Sequence, residues 1–131
     1  MKVTAFEIAS RYVYPSLRRR LVEILYKEYK LTQVKIASLL HITQSAVSRY
    51  LKQGRGALIN VSEFDDIDRE LKALAKMIIE ERPNEYKIHL ELVKIALVML
   101  GKGYICAYHG KIDDEIDVSE CHTCIDLFKE I

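Results

Sequence analysis

The chain has 131 residues, half of them apolar, and a formal net charge of +1. That is enough for one compact domain or two small ones with a real core. No apolar run reaches the about 18 residues that span a membrane, and no basic segment followed by an apolar run marks a secretory signal. A cytoplasmic protein with no membrane partner is therefore expected. The small net charge hides a split: residues 1–60 carry eleven Lys and Arg against three Glu, a net of +8, whereas residues 61–131 carry nine against sixteen Asp and Glu, a net of −7. A basic half attracts DNA by releasing its counterions, and an acidic half is expected to face away from it.

In chain order, Thr4-Ala5-Phe6-Glu7 fits a capping box, with Thr4 as cap and Glu7 reaching back. It predicts a short first helix to about Tyr14. Pro15 suits the first turn of a next helix, in which Leu17, Leu21, Ile24 and Leu25 repeat at helical spacing. Arg18, Arg19 and Arg20 on its polar face are either phosphate contacts or a solvated face.

Residues 31–51 predict two short helices joined by a tight turn. Such a pair needs a small residue where the backbones cross and apolar residues around it. Ala37 fills the first role, and Ile36, Leu40, Ile42, Val47 and Tyr50 the second. Thr43 is placed to cap the second helix. His41 occupies the turn position where glycine is usual because φ tends to be positive; histidine tolerates that region better than most residues. The outward positions of the second helix are Gln44, Ser45, Ser48, Arg49 and Lys52. Gln reads adenine edges, Arg guanine edges, and Ser either bases or phosphates. Gln44, Ser45, Ser48 and Arg49 are therefore the candidate base contacts, and Thr43, Lys52 and Arg55 the candidate phosphate contacts, which add affinity without sequence information.

Tyr14-Pro15-Ser16-Leu17-Arg18, Leu31-Thr32-Gln33, Ile36-Ala37, Leu39-Leu40, the run from Ile42 to Ser48, Tyr50-Leu51 and Arg55-Gly56 together resemble the archaeal predicted transcriptional regulators with a Cro/repressor-type helix-turn-helix. The resemblance runs from about residue 6 to 56 and extends more loosely to a C-terminal cysteine cluster. It implies a small cytoplasmic regulator that binds double-stranded DNA as a homodimer; it names no operator and no small-molecule effector.

Gly54-Arg55-Gly56 predicts a helix stop and a loop. Ser62-Glu63-Phe64-Asp65 is a second capping-box candidate. After it Phe64, Ile67, Leu71, Leu74, Ala75, Ile78 and Ile79 predict a helix to about Arg82, which Pro83 ends. Asn84 can cap another, with Ile88, Leu92, Ile95, Ala96, Met99 and Leu100 on its apolar face and Gly101 and Gly103 at its end. The runs Leu71-Leu74-Ile78 and Leu92-Ile95-Met99 suit a core or a dimer interface equally.

All three cysteines lie in the last 26 residues. Cys106-x2-His109 and Cys121-x2-Cys124 give three thiolates and an imidazole, the donor set of a closed tetrahedral zinc site. His122 competes as fourth ligand but sits between two cysteines. An iron–sulfur cluster uses the same clustered thiolates, and metal-free packing or a disulfide remains open. Asp113, Asp114, Glu115 and Asp117 between the pairs are expected to form a solvated loop. Neither a phosphate loop nor a nucleophile motif is present, and a zinc deaminase would need His-x-Glu and Pro-Cys-x-x-Cys, so no enzyme is expected; the alternatives to a zinc-bearing DNA-binding regulator are an iron–sulfur redox-sensing regulator and a non-enzymatic protein-interaction adaptor.

The expected architecture is all-α. An N-terminal helix-turn-helix bundle over residues 1–60 precedes a helical dimerisation region that ends in a small metal-bound segment over residues 61–131.

Overall fold

Thr4 starts the first helix as its neighbours require: its side chain accepts from the Glu7 N–H at 3.2 Å, and the Glu7 carboxylate accepts from the Thr4 N–H at 3.1 Å. The computed structural model describes residues 1–52 and 59–130, and among them every regular element is helical. In order these are α1 (Ala5–Ile8), α2 (Tyr14–Glu23), α3 (Gln33–Leu40), α4 (Gln44–Lys52), α5 (Asp65–Glu81), α6 (Glu85–Gly101), α7 (Cys106–Ile112) and α8 (Thr123–Phe128). A single 3-10 turn, Val61–Glu63, leads into α5. The expected loop Gly54-Arg55-Gly56, and with it Arg55, lies outside the described residues.

The expected break near Tyr14 does not occur. α1 runs on through a π-helical segment, Ala9–Val13, directly into α2. Pro15 has no N–H, and its ring crowds the carbonyl one turn back. The chain widens its register instead of stopping, and the Tyr14 N–H bonds to the Ala9 carbonyl, five residues earlier. Ser16 then exploits the distortion: it is buried, its hydroxyl donates to the Tyr12 carbonyl, and it accepts the Ile59 N–H at 2.9 Å. A second π-helical segment, Ile24–Glu28, ends α2.

α2 is the hub. It packs against α4, α5 and α6, and Leu17, Leu21 and Val22 are fully buried between them. One apolar core, running from Ile8 to Ile105, crosses the expected boundary at residue 60. Leu71, Leu74 and Ile78 of α5 and Leu92, Ile95 and Met99 of α6 are buried in that core. These runs therefore pack within the chain and offer no face to a second copy.

Asn84 caps α6 by accepting the Lys87 N–H at 2.9 Å, and α5 ends at Glu81 with Arg82 left-handed at φ 48°, ahead of Pro83. The second capping box does not form. Val61 is buried and winds residues 61–63 into the 3-10 turn, so the Ser62 hydroxyl meets the Asn60 side chain. Phe64 becomes the N-cap of α5 without a side-chain cap bond, and its ring stacks on Tyr104 at 4.5 Å. The start of α5 relies instead on Asp65, Asp66 and Asp68 in its first turn, where carboxylates complement the helix dipole.

The two charged halves meet. The Arg20 guanidinium grips Asp68 through Nε at 2.7 Å and Nη2 at 3.2 Å, a forked pair with one side chain from each half. Lys2 pairs with Asp114 at 2.8 Å and the amino terminus with Glu115 at 2.9 Å. Arg20 is thus committed inside the fold and is not a free phosphate contact.

Candidate functional site

α3 and α4 are joined by residues 41–43. Ile36, Ala37, Leu40 and Val47 are buried, and Ile42 and Tyr50 pack on the core edge. Ala37 has the smallest side chain of that buried set and sits on α3, which packs closely against α4. His41 takes the left-handed conformation at φ 58° and ψ 38°, as its turn position predicts, and its Nε2 meets the Pro83 carbonyl at 3.0 Å. Since a carbonyl only accepts, Nε2 carries the proton. The Thr43 hydroxyl accepts the Ala46 N–H at 3.1 Å, which leaves its own hydrogen available to an acceptor.

With Val47 fixing the inner face of α4, Gln44, Ser45, Arg49 and Lys52 are exposed and Ser48 is half-buried. Among the described residues Arg49 and Lys52 enter no ion pair, and both lie in the last turn of α4. The five candidates described thus share one outward-facing helix. Thr43 stands at the start of that helix.

The second cluster lies at the other end of the chain. Cys106 and His109 are one turn apart on α7, while Cys121 precedes α8 and Cys124 lies in its first turn. All four side chains line one cavity of about 20 Å³, with Ile116 and Val118, room for a single water-sized sphere. His122 is exposed and does not line it. α8 is brought there by its packing on α6.

His109 is buried, and its Nε2 donates to the Val3 carbonyl at 2.7 Å. In the neutral ring that bond puts the proton on Nε2 and leaves Nδ1 as the acceptor, which is how a metal-binding histidine is commonly held from behind. All three cysteines are free thiols. Burial pushes the Cys106 thiol up, and the charge of Cys121 adds to it; burial, then Cys106 and Cys121, does the same to Cys124. Thiols that raise one another stay protonated unless a cation joins them. The donor chemistry therefore fits a zinc ion, although among the described residues no three His, Cys, Asp or Glu side chains stand close enough together to hold a metal.

Asp113 departs from the solvated loop expected for its acidic run. It is fully buried rather than solvated, whereas Asp114, Glu115 and Asp117 are exposed. Its carboxylate accepts the N–H groups of Lys2 at 2.7 Å, Val3 at 2.8 Å and Glu115 at 3.0 Å. The Lys2 and Val3 donors come from residues about 110 positions away, so no local pattern announces them. Asp113 and His109 together pin the start of the chain against α7.

Burial pushes the Asp113 carboxyl up, but the N–H groups of Val3, Glu115 and Lys2 outweigh it and hold it below the usual carboxylate range. A depressed folded pKa contributes stability that is present above the unfolded value of about 3.9 and is lost as pH falls through the lower folded value. In an acid titration followed by near-ultraviolet circular dichroism, the α7 region is expected to hold above about pH 5 and to loosen below about pH 4. Asp113→Asn is expected to expose the thiols already at neutral pH. Identical profiles for the two proteins would remove Asp113 from this role.

Comparison with protein-family models, with curated proteins and with solved structures finds no match.

Proposed function

We propose that the protein is a sequence-specific DNA-binding transcriptional regulator in which α3 and α4 form a helix-turn-helix unit. α4 enters the major groove, with Gln44, Ser45, Ser48 and Arg49 on base edges and Thr43 and Lys52 on phosphates. One observation carries the reading: a helix held from behind by Val47, after a left-handed turn at His41, presents Gln44, Ser45, Arg49 and Lys52 to solvent. The +8 charge of residues 1–60 supports it, although Lys2 and Arg20 spend their charge on acidic partners.

The same reading assigns Cys106, His109, Cys121 and Cys124 to a structural zinc ion. When bound, the ion would tie α7 to the start of α8, giving a short acidic segment a cross-link that burial alone does not supply. What supports this is the shared cavity and the back-bonded His109.

The test is selection of bound duplexes from a random pool by the full chain. One enriched sequence is expected. Gln44→Ala with Arg49→Ala is expected to lose that preference by about tenfold or more per contact while keeping salt-sensitive binding. Lys52→Ala is expected to weaken all sequences alike and to reduce the salt slope by about 1. A pool returning no enriched sequence defeats the DNA reading. Metal analysis of the purified protein separates the cofactors: a colourless protein with one zinc per chain is expected, and a brown protein with visible bands replaces zinc by an iron–sulfur cluster.

A further inference from the structure

A cavity of about 300 Å³ opens between α2, α6 and the turn that joins α3 to α4. It is separate from the cysteine cluster and from the outward face of α4. Its floor is aliphatic: Leu21 of α2, Leu40 of α3, and Ile88 and Leu92 of α6, all buried. A mainly apolar hollow of this size with a few polar groups at its mouth is the usual form of a small-molecule site.

The lining also carries two opposite charges that do not pair with each other. Arg18 lies over the Tyr14 ring at 5.1 Å, and Glu85 stands in the first turn of α6. Neither enters an ion pair among the described residues. Of the other polar groups of the lining, the Tyr14 hydroxyl bonds His89 Nδ1 at 2.8 Å and His41 bonds the Pro83 carbonyl, while Tyr86 is largely exposed. A simple carboxylate would satisfy Arg18 but meet repulsion from Glu85; a simple amine would meet the reverse. A molecule with both charges and an apolar body satisfies all three features.

We infer that this cavity binds a hydrophobic α-amino acid, with Arg18 on its carboxylate, Glu85 on its ammonium and the aliphatic floor around its side chain. His41 and Ile42 of the lining belong to the turn that leads into α4. Occupancy is therefore expected to change the affinity for DNA. This coupling rests on the DNA reading above, whereas the binding itself does not.

The experiment titrates the full chain with leucine, and separately with isocaproate and isoamylamine, which lack its ammonium and its carboxylate. Without DNA, leucine is expected to bind at least about tenfold more tightly than either analogue, as the loss of one charge-assisted pair predicts. Glu85→Gln is expected to abolish the preference over isocaproate, and Arg18→Gln the preference over isoamylamine. Glu85 is exposed and Arg18 half-buried, and melting curves confirm that each variant folds. No binding of leucine, or the same preference in both variants, overturns the site. Leucine binding with unchanged affinity for the selected duplex overturns the coupling alone. Leucine binding by a protein that selects no duplex leaves the site standing and defeats the DNA reading.

Discussion

Gly101→Ala is expected to lower stability by roughly 2–3 kcal/mol, the scale of an overpacked core position, and to expose the cysteines. Helix propensity alone predicts the opposite sign, since alanine in place of a helical glycine gains about 1 kcal/mol. Gly101 is buried at the end of α6, where α8 lies against it. A Cβ built there would strike the Phe128 carbonyl oxygen, stand 2.7 Å from its carbon and 3.1 Å from the Lys129 nitrogen. These are backbone atoms and cannot rotate aside, so α8 must move outward. It carries Cys124 and is preceded by Cys121, so the shift takes both away from Cys106 and His109. Thermal melting and thiol titration with a chromogenic disulfide read the two effects. A variant as stable as the wild type, with equally slow thiols, would show that α8 does not rest on Gly101.

Ser16→Ala is expected to cost about 2 kcal/mol, within the range for leaving a buried partner unsatisfied, or a fall in Tm of roughly 8 °C for a chain of this size. The substitution removes a single oxygen, yet that oxygen serves two backbone groups: it donates to the Tyr12 carbonyl and accepts the Ile59 N–H. The Ile59 N–H is part-buried beside the core, and the Ser16 hydroxyl is its acceptor. A melting curve that moves by less than 2 °C would mean that water replaces the hydroxyl at little cost.

The features legible in the sequence are those written within one turn of chain. Thr4, Thr43 and Asn84 cap the helices they were expected to cap, because a cap bonds to a group only a few residues on. His41 adopts its left-handed turn for the same local reason. The apolar spacings of α5 and α6 place their core faces correctly, but spacing alone could not say whether those faces met this chain or another.

The misreadings share a cause. Ser62 has the right neighbours for a cap and loses the role because Val61 is drawn into the core. Pro15 stands in the first turn of α2 as expected, but no break precedes it, because a π turn carries α1 straight into α2. Asp113 looks like one more solvated carboxylate until residues 2 and 3 fold onto it. In the cysteine cluster, the pairing of Cys106 with His109 and of Cys121 with Cys124 follows from spacing. The Val3 carbonyl behind His109 is a tertiary contact that no spacing contains.

That contact sets an order of assembly. Val3 and His109 are 106 positions apart along the chain. Closing so long a loop is slow compared with forming the helices between. The thiol pocket is therefore expected to be the last part of the protein to mature, after α2 has already gathered α4, α5 and α6 around it. During that interval the cysteines stand open to whatever metal or oxidant the surroundings offer.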